Sequence, residues 1–125
     1  MESPRVLENF YIQPIIDLSS GRVCGGEVLW RPNHNVPSAE EIQALDEDPA
    51  LNISVTQDSF VFALRALDRM QSNVWLSVNL SCQYVGSGKM FFRPISKAVG
   101  DLDTLRRKVG RRLVVEVTEK GVAGQ

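Results

Sequence analysis

Apolar and polar positions along this chain follow two different rhythms, one suited to strands and one to helices. Phe10 to Asp17 is a short apolar run that predicts a strand, and Leu18-Ser19-Ser20-Gly21-Arg22 has the Ser/Gly content of a turn. Arg22 to Trp30 resumes as a strand, so the two segments pair as a hairpin. Gly25 and Gly26 inside it mark a bulge or a close backbone approach. After a loop from Asn33 to Pro37, Ser38-Ala39-Glu40-Glu41 has the form of a capping box and opens a helix toward Glu47, closed by Asp48 and Pro49. Ser54-Val55-Thr56-Gln57 offers the same cap to a second helix. There Phe60, Val61, Leu64, Leu67 and Met70 or Gln71 keep helical spacing, with Asp58, Arg65 and Asp68 on the other side.

Val74 to Leu80 is a nearly continuous apolar run, as expected of a strand covered on both faces. Gln83 to Gly88 reads as loop or short turn. Met90 to Val109 is helical in part, with Pro94 and Gly100 arguing for a late start or a break and Asp101 for a restart. Leu113 to Thr118 predicts another buried, valine-rich strand. Strand, helices, strand, helix, strand after an opening hairpin implies parallel strands joined by helical crossovers, an α/β fold. A full (β/α)8 barrel takes about 250 residues. The 125 residues here make roughly half of such a barrel.

Composition narrows the class without naming a chemistry. A chain with 43% apolar residues and a net charge of -1 suits one globular domain with no electrostatic pull toward nucleic acid or anionic membrane. No apolar run approaches the ~20 residues that span a bilayer, and Met1 to Arg5 lacks a secretory pattern, so a cytoplasmic protein is expected. Cys24 and Cys82 fall in strand regions away from any CxxC spacing, which predicts buried, reduced thiols. His34 reads as an ordinary loop residue. Met90, Phe91 and Phe92 read as core or interface, and Arg106, Arg107, Lys108, Arg111 and Arg112 as a solvated helix end. No aromatic residues interleave with that basic cluster, as a nucleic-acid surface would require.

The candidate chemistry sits where strands stop. Polar groups at the C-terminal ends of parallel barrel strands converge on one mouth. Glu27, Asn79 and Glu116 are each near such an end. Alternation puts Glu27, Leu29 and Arg31 on one face, with Val28 and Trp30 toward the helices. Two carboxylates and an amide oxygen are hard donors, suited to magnesium or manganese. The plainer alternative is that each glutamate pairs with an arginine, Arg31 or Arg112.

Four segments, Phe10-Tyr11-Ile12-Gln13-Pro14-Ile15, Glu27-Val28-Leu29-Trp30-Arg31, Ser77-Val78-Asn79-Leu80-Ser81 and Val115-Glu116-Val117-Thr118-Glu119, in this order resemble the first half of an EAL domain. That family consists of cyclic di-GMP phosphodiesterases. The resemblance covers residues 10–119, with 1–9 as a lead-in and 120–125 as a tail. It implies a partial TIM-like barrel in which Glu27, Asn79 and Glu116 ligate magnesium or manganese. It also implies that Gln13, Leu29 and Arg31 meet the dinucleotide, and that Glu119 steadies a catalytic loop. The signature departs from the family's as Glu-Val-Leu, and Trp30 and Pro32 are less usual beside the arginine.

The family's aspartate pair, lysine and later glutamate and glutamine have no counterpart in these 125 residues. Metal-assisted hydrolysis needs a nearly full ligand set. The expectation is therefore a truncated, degenerate domain without hydrolytic activity of its own, acting by protein interaction or by weak cyclic di-GMP binding. The alternatives are a phosphodiesterase completed by a dimer or partner, and a fragment of such an enzyme. Half a barrel leaves two open strand edges, so a homodimer or another protein partner is expected there.

Overall fold

Strands β1 (Phe10–Asp17) and β2 (Arg22–Trp30) form the expected hairpin, with Phe10 opposite Trp30 and Asp17 opposite Arg22. The computed structural model describes residues 9–70, 73–81 and 107–118. The hairpin turn is held by the Asp17 carboxylate, which accepts from the Ser19 backbone N–H at 3.1 Å and from the Ser19 and Ser20 hydroxyls at 3.0 and 3.1 Å. Those donors, the Ser19 backbone N–H foremost, hold this carboxyl below its ordinary pKa. Gly21 takes a left-handed φ of 72° to bring its N–H to the Asp17 carbonyl.

Both readings of the paired glycines are realised. Ile15 faces Gly25 and Ile16 faces Val23, so Cys24 is the extra residue of a bulge. At Gly25 a Cβ would collide with the Trp75 indole, so glycine lets the ring lie against the strand. Cys24 is a free thiol, half-buried rather than fully buried, and its Sγ donates to the Ile15 carbonyl at 3.5 Å. Cys82 lies outside the described residues.

Helix α1 (Ala39–Glu47) starts at the expected capping box. Ser38 Oγ accepts from the Glu41 N–H at 3.1 Å, and the Glu41 carboxylate accepts from the Ser38 N–H at 2.9 Å. Helix α2 (Pro49–Arg69) starts well before the cap expected at Ser54, which lies inside it. The reason is that Asp48 serves two helices. Its N–H donates to the Ala44 carbonyl to end α1, while its carboxylate accepts from the Ala50 and Leu51 N–H groups to open α2, with Pro49 at the first turn.

The sheet order is β1-β2-β3-β4. Strand β3 (Trp75–Ser81) runs parallel to β2, and β4 (Leu113–Thr118) runs parallel to β3. One face of the sheet packs on the helices. Phe10, Val28, Trp30, Leu76, Val78 and Leu80 meet Phe60, Val61, Leu64 and Leu67 of α2 and Leu45 of α1 in a single apolar cluster. Phe10 and Phe62 rings stand 5.7 Å apart. Buried hydroxyls of α2 are satisfied within the helix, Thr56 donating to the Asn52 carbonyl and Ser59 to the Thr56 carbonyl.

Two expectations need correction here. Asp58 is not on an open helix face. Half-buried, it is pushed up to about 6 by desolvation. Strand β4 exists but is not buried, because it has β3 on one side and no strand on the other among the described residues. Val114, Val115 and Val117 are 43%, 41% and 58% exposed. The Arg112 guanidinium donates to the Leu67 and Val74 carbonyls at 2.8 and 3.1 Å, tying the entry of β4 to the end of α2.

The loop and helix expected between Gln83 and Arg106 lie outside the described residues, while 107–109 are helical. Arg107, Lys108 and Arg111 are exposed, as a solvated helix end should be, and Lys108 pairs with Asp68 at 2.7 Å. Among the described residues no helix is long and apolar enough to cross a membrane.

Candidate functional site

Strand register assigns each side chain to a face. Paired residues point to the same side of a sheet, and alternate residues along one strand do likewise. Gln13 pairs with Glu27, Glu27 with Ser77, and Ser77 with Val114, which makes one continuous row across all four strands. Two residues nearer the strand ends, Tyr11 pairs with Leu29 and Asn79 with Glu116. Phe10, Val28, Trp30, Leu76 and Val78 occupy the alternate positions and are buried against the helices. Gln13, Glu27, Leu29, Asn79 and Glu116 therefore share the face turned away from α2.

The positions also cluster at one end. Strand β1 runs opposite to the others, so its beginning lies beside the end of β2. The row holding Asn79 and Glu116 is one two-residue step above the row holding Glu27, about 6.6 Å along the strands. Glu27 and Asn79 are half-buried and Glu116 is exposed. Glu27 and Glu116 flank β3 from either side, with the Asn79 amide between them in strand order. Two carboxylates and one amide oxygen fit a hard divalent cation in donor type. Among the described residues no three His, Cys, Asp or Glu side chains gather as a metal cage, so the third donor here would be the amide. Glu119 lies outside the described residues.

Arg31 follows directly on β2. Its backbone N–H donates to the Asn9 carbonyl at 2.7 Å, and its Nη1 donates to the Trp30 carbonyl at 2.9 Å. The second bond steadies the guanidinium at the strand end and uses only one of its five N–H donors.

The sequence reading missed one feature of this rim. Residues Pro32–His34 form a single 3-10 turn in which Asn33 and His34 both have left-handed backbones, with φ of 55° and 64°. The turn brings His34 to β1. The Tyr11 hydroxyl and His34 Nδ1 are hydrogen-bonded at 2.9 Å, with ring centroids 5.8 Å apart. His34 is thus a partner of Tyr11 rather than an isolated loop residue. The available signal was parity, since Tyr11 is two residues from Gln13 and shares its face.

A separate cavity of about 260 Å³ is lined by Phe62, Arg65, Ala66 and Arg69 of α2. It belongs to the helical layer and shares no residue with the sheet face just described.

The fold is that of a partial EAL domain, a piece of a TIM-like barrel. Solved structures of EAL enzyme Bd1971 superpose on it. The cGMP-bound form matches at a TM-score of 0.60 and 20% identity, covering 94% of this chain and 36% of that one. The form bound to cAMP and cyclic-di-GMP matches at 0.62 and 20%, covering 94% and 35%. The cAMP-bound form gives 0.58 and 18%, covering 92% and 36%. This chain therefore spans about a third of the length of those proteins. No protein-family model and no curated protein sequence matches it.

Proposed function

We propose that this chain carries part of an EAL-type mouth and binds cyclic di-GMP on the inner face of its sheet without hydrolysing it. The observation that carries the reading is the shared face of Gln13, Glu27, Leu29, Asn79 and Glu116 at one end of a sheet whose other face is closed by helices. In this reading Arg31 holds a phosphate through its remaining donors, and Gln13 offers an amide to the edge of a base. Leu29 packs beside them. Glu27, Asn79 and Glu116 are the residues that would hold magnesium or manganese. When bound there, such an ion would supply neutralisation of phosphate charge and, with a full shell, a lowered pKa for a bound water. Three protein oxygens fill half of an octahedral shell, which favours binding over catalysis. The likeness to EAL enzymes supports the choice of ligand class and carries the fold.

Titration calorimetry of cyclic di-GMP into the chain with manganese present tests this. The expected result is saturable binding, lost in Arg31→Ala, with no linear dinucleotide released. Turnover of cyclic di-GMP that disappears in Glu27→Ala would instead favour a phosphodiesterase, with the rest of its site supplied by a second copy or a partner.

A partner reading has its own motive in β4. Among the described residues β4 is an edge strand with three exposed valines, a template for another strand, and a second copy of this chain is the occupant proposed. Light scattering should then give twice the chain mass, and Val115→Lys/Val117→Lys should return it to the monomer. A monomer at high micromolar concentration in the unaltered chain would remove this reading.

A further inference from the structure

We infer that Tyr11 and His34 form an aromatic wall at the rim of the mouth, against which a purine base of the bound nucleotide stacks. The inference rests on the cyclic di-GMP reading and adds to it a pair of residues that the resemblance does not supply.

Three observations converge. Tyr11 stands on the same face as Gln13 and Leu29, one step nearer the rim, in register with Leu29. It is 45% exposed and lies on the face turned away from the helices, so its ring is not consumed by the core. Its orientation is set by His34, through the 2.9 Å bond and the ring contact at 5.8 Å.

The placement of His34 is costly. Two successive non-glycine residues with positive φ are uncommon, and Asn33 tolerates that backbone better than His34 does. The turn is closed by the His34 N–H donating to the Arg31 carbonyl and by the Asn35 side chain donating to the Asn33 carbonyl. Because the turn begins directly after Arg31, the group proposed to hold a phosphate and His34, which orients the Tyr11 ring, are fixed to one short segment. Their separation is thereby set before any ligand arrives, which lowers the ordering cost of binding. A flat apolar ring with a polar edge suits a nucleobase, since every base offers a π-face.

Calorimetry with cyclic di-GMP on the full chain, run on the unaltered protein, Tyr11→Leu, Tyr11→Phe, His34→Ala and Arg31→Ala, tests the wall. Tyr11→Leu should weaken binding roughly tenfold or more, the loss expected when a stacking ring is removed. Tyr11→Phe keeps the ring and loses the bond to His34, so it should weaken binding by only about two- to fivefold. His34→Ala should match it, and the double variant Tyr11→Phe/His34→Ala should be no worse than either alone. A readout specific to stacking accompanies these: the guanine H8 resonance should move upfield on binding to the unaltered chain and not to Tyr11→Leu. If the unaltered chain binds, Arg31→Ala does not, and Tyr11→Leu binds as well as the unaltered chain, the wall is overturned while the mouth reading stands. If the unaltered chain fails to bind, both fall together. Should Tyr11→Leu melt early, the H8 shift on the unaltered chain decides, and an unshifted H8 overturns the proposal.

Discussion

Strands β3 and β4 are made of nearly the same material and live in different surroundings. Trp75–Ser81 and Leu113–Thr118 both alternate apolar residues with polar ones on a single face, Ser77, Asn79 and Ser81 in the first and Glu116 and Thr118 in the second, and Asn79 pairs with Glu116 across the strands. Yet Leu76 and Val78 are wholly buried, while Val115 and Val117 are open. The composition of the two strands does not account for this. Strand β3 has a strand on each side and α2 behind it, whereas β4 has one strand neighbour among the described residues. Hydrophobicity states what a strand tolerates; the number of its neighbours decides what it experiences. The same contrast runs through the site, where Asn79 is half-buried and Glu116, beside it, is exposed.

The comparison can be broken most sharply by truncating equivalent apolar residues. Val78→Ala should cost about 1.5–3 kcal/mol in denaturant unfolding, whereas Val115→Ala, at its register partner on β4, should cost less than about 1 kcal/mol. Equal losses would mean that β4 is covered in solution. Next in size, Gly25→Ala should destabilise by about 1–3 kcal/mol by forcing the Trp75 indole away from β2. Trp75→Leu in the same chain should recover part of that loss. Asp48→Ala removes the cap of α2, the helix that closes the face behind β3, and should cost about 1 kcal/mol.

The last effect is a pH dependence. Asp58 on α2 has a folded pKa raised to about 6 from 3.8 by burial, so the folded state holds its proton more tightly than the unfolded state. Its contribution is greatest below about pH 4 and is lost as pH rises through 6. Asp58→Asn should remove that fall, which appears as a flatter denaturation midpoint between pH 4 and 7 relative to the unaltered chain. Identical profiles would show that Asp58 is better solvated than its position implies.

How far these features could be read without coordinates follows from their range. The hairpin, the Ser38 cap and the buried stripe Phe60, Val61, Leu64 and Leu67 are local patterns, and each is present as read. The start of α2 was misplaced because Asp48 acts at two helix ends at once, and a motif scan credits a residue with one role. The exposure of β4 depends on strand order, which no window of sequence contains. The same division holds at the site. That Glu27 and Leu29 share a face follows from alternation alone. That Glu27 sits one row below Asn79 and Glu116 requires register. The Tyr11–His34 pair required a turn with two left-handed residues, and neither Asn33 nor His34 announces that backbone as a glycine would.

Amide chemical-shift mapping tests the account most directly, by titrating cyclic di-GMP into isotopically labelled chain with manganese replaced by magnesium. The account predicts shifts at Tyr11, Gln13, Glu27, Leu29, Arg31, Asn79 and Glu116, with little change along the helix-facing core of Leu64, Leu67 and Val78. Shifts centred on Phe62, Arg65 and Arg69 of α2, or no shifts at millimolar ligand, would contradict it.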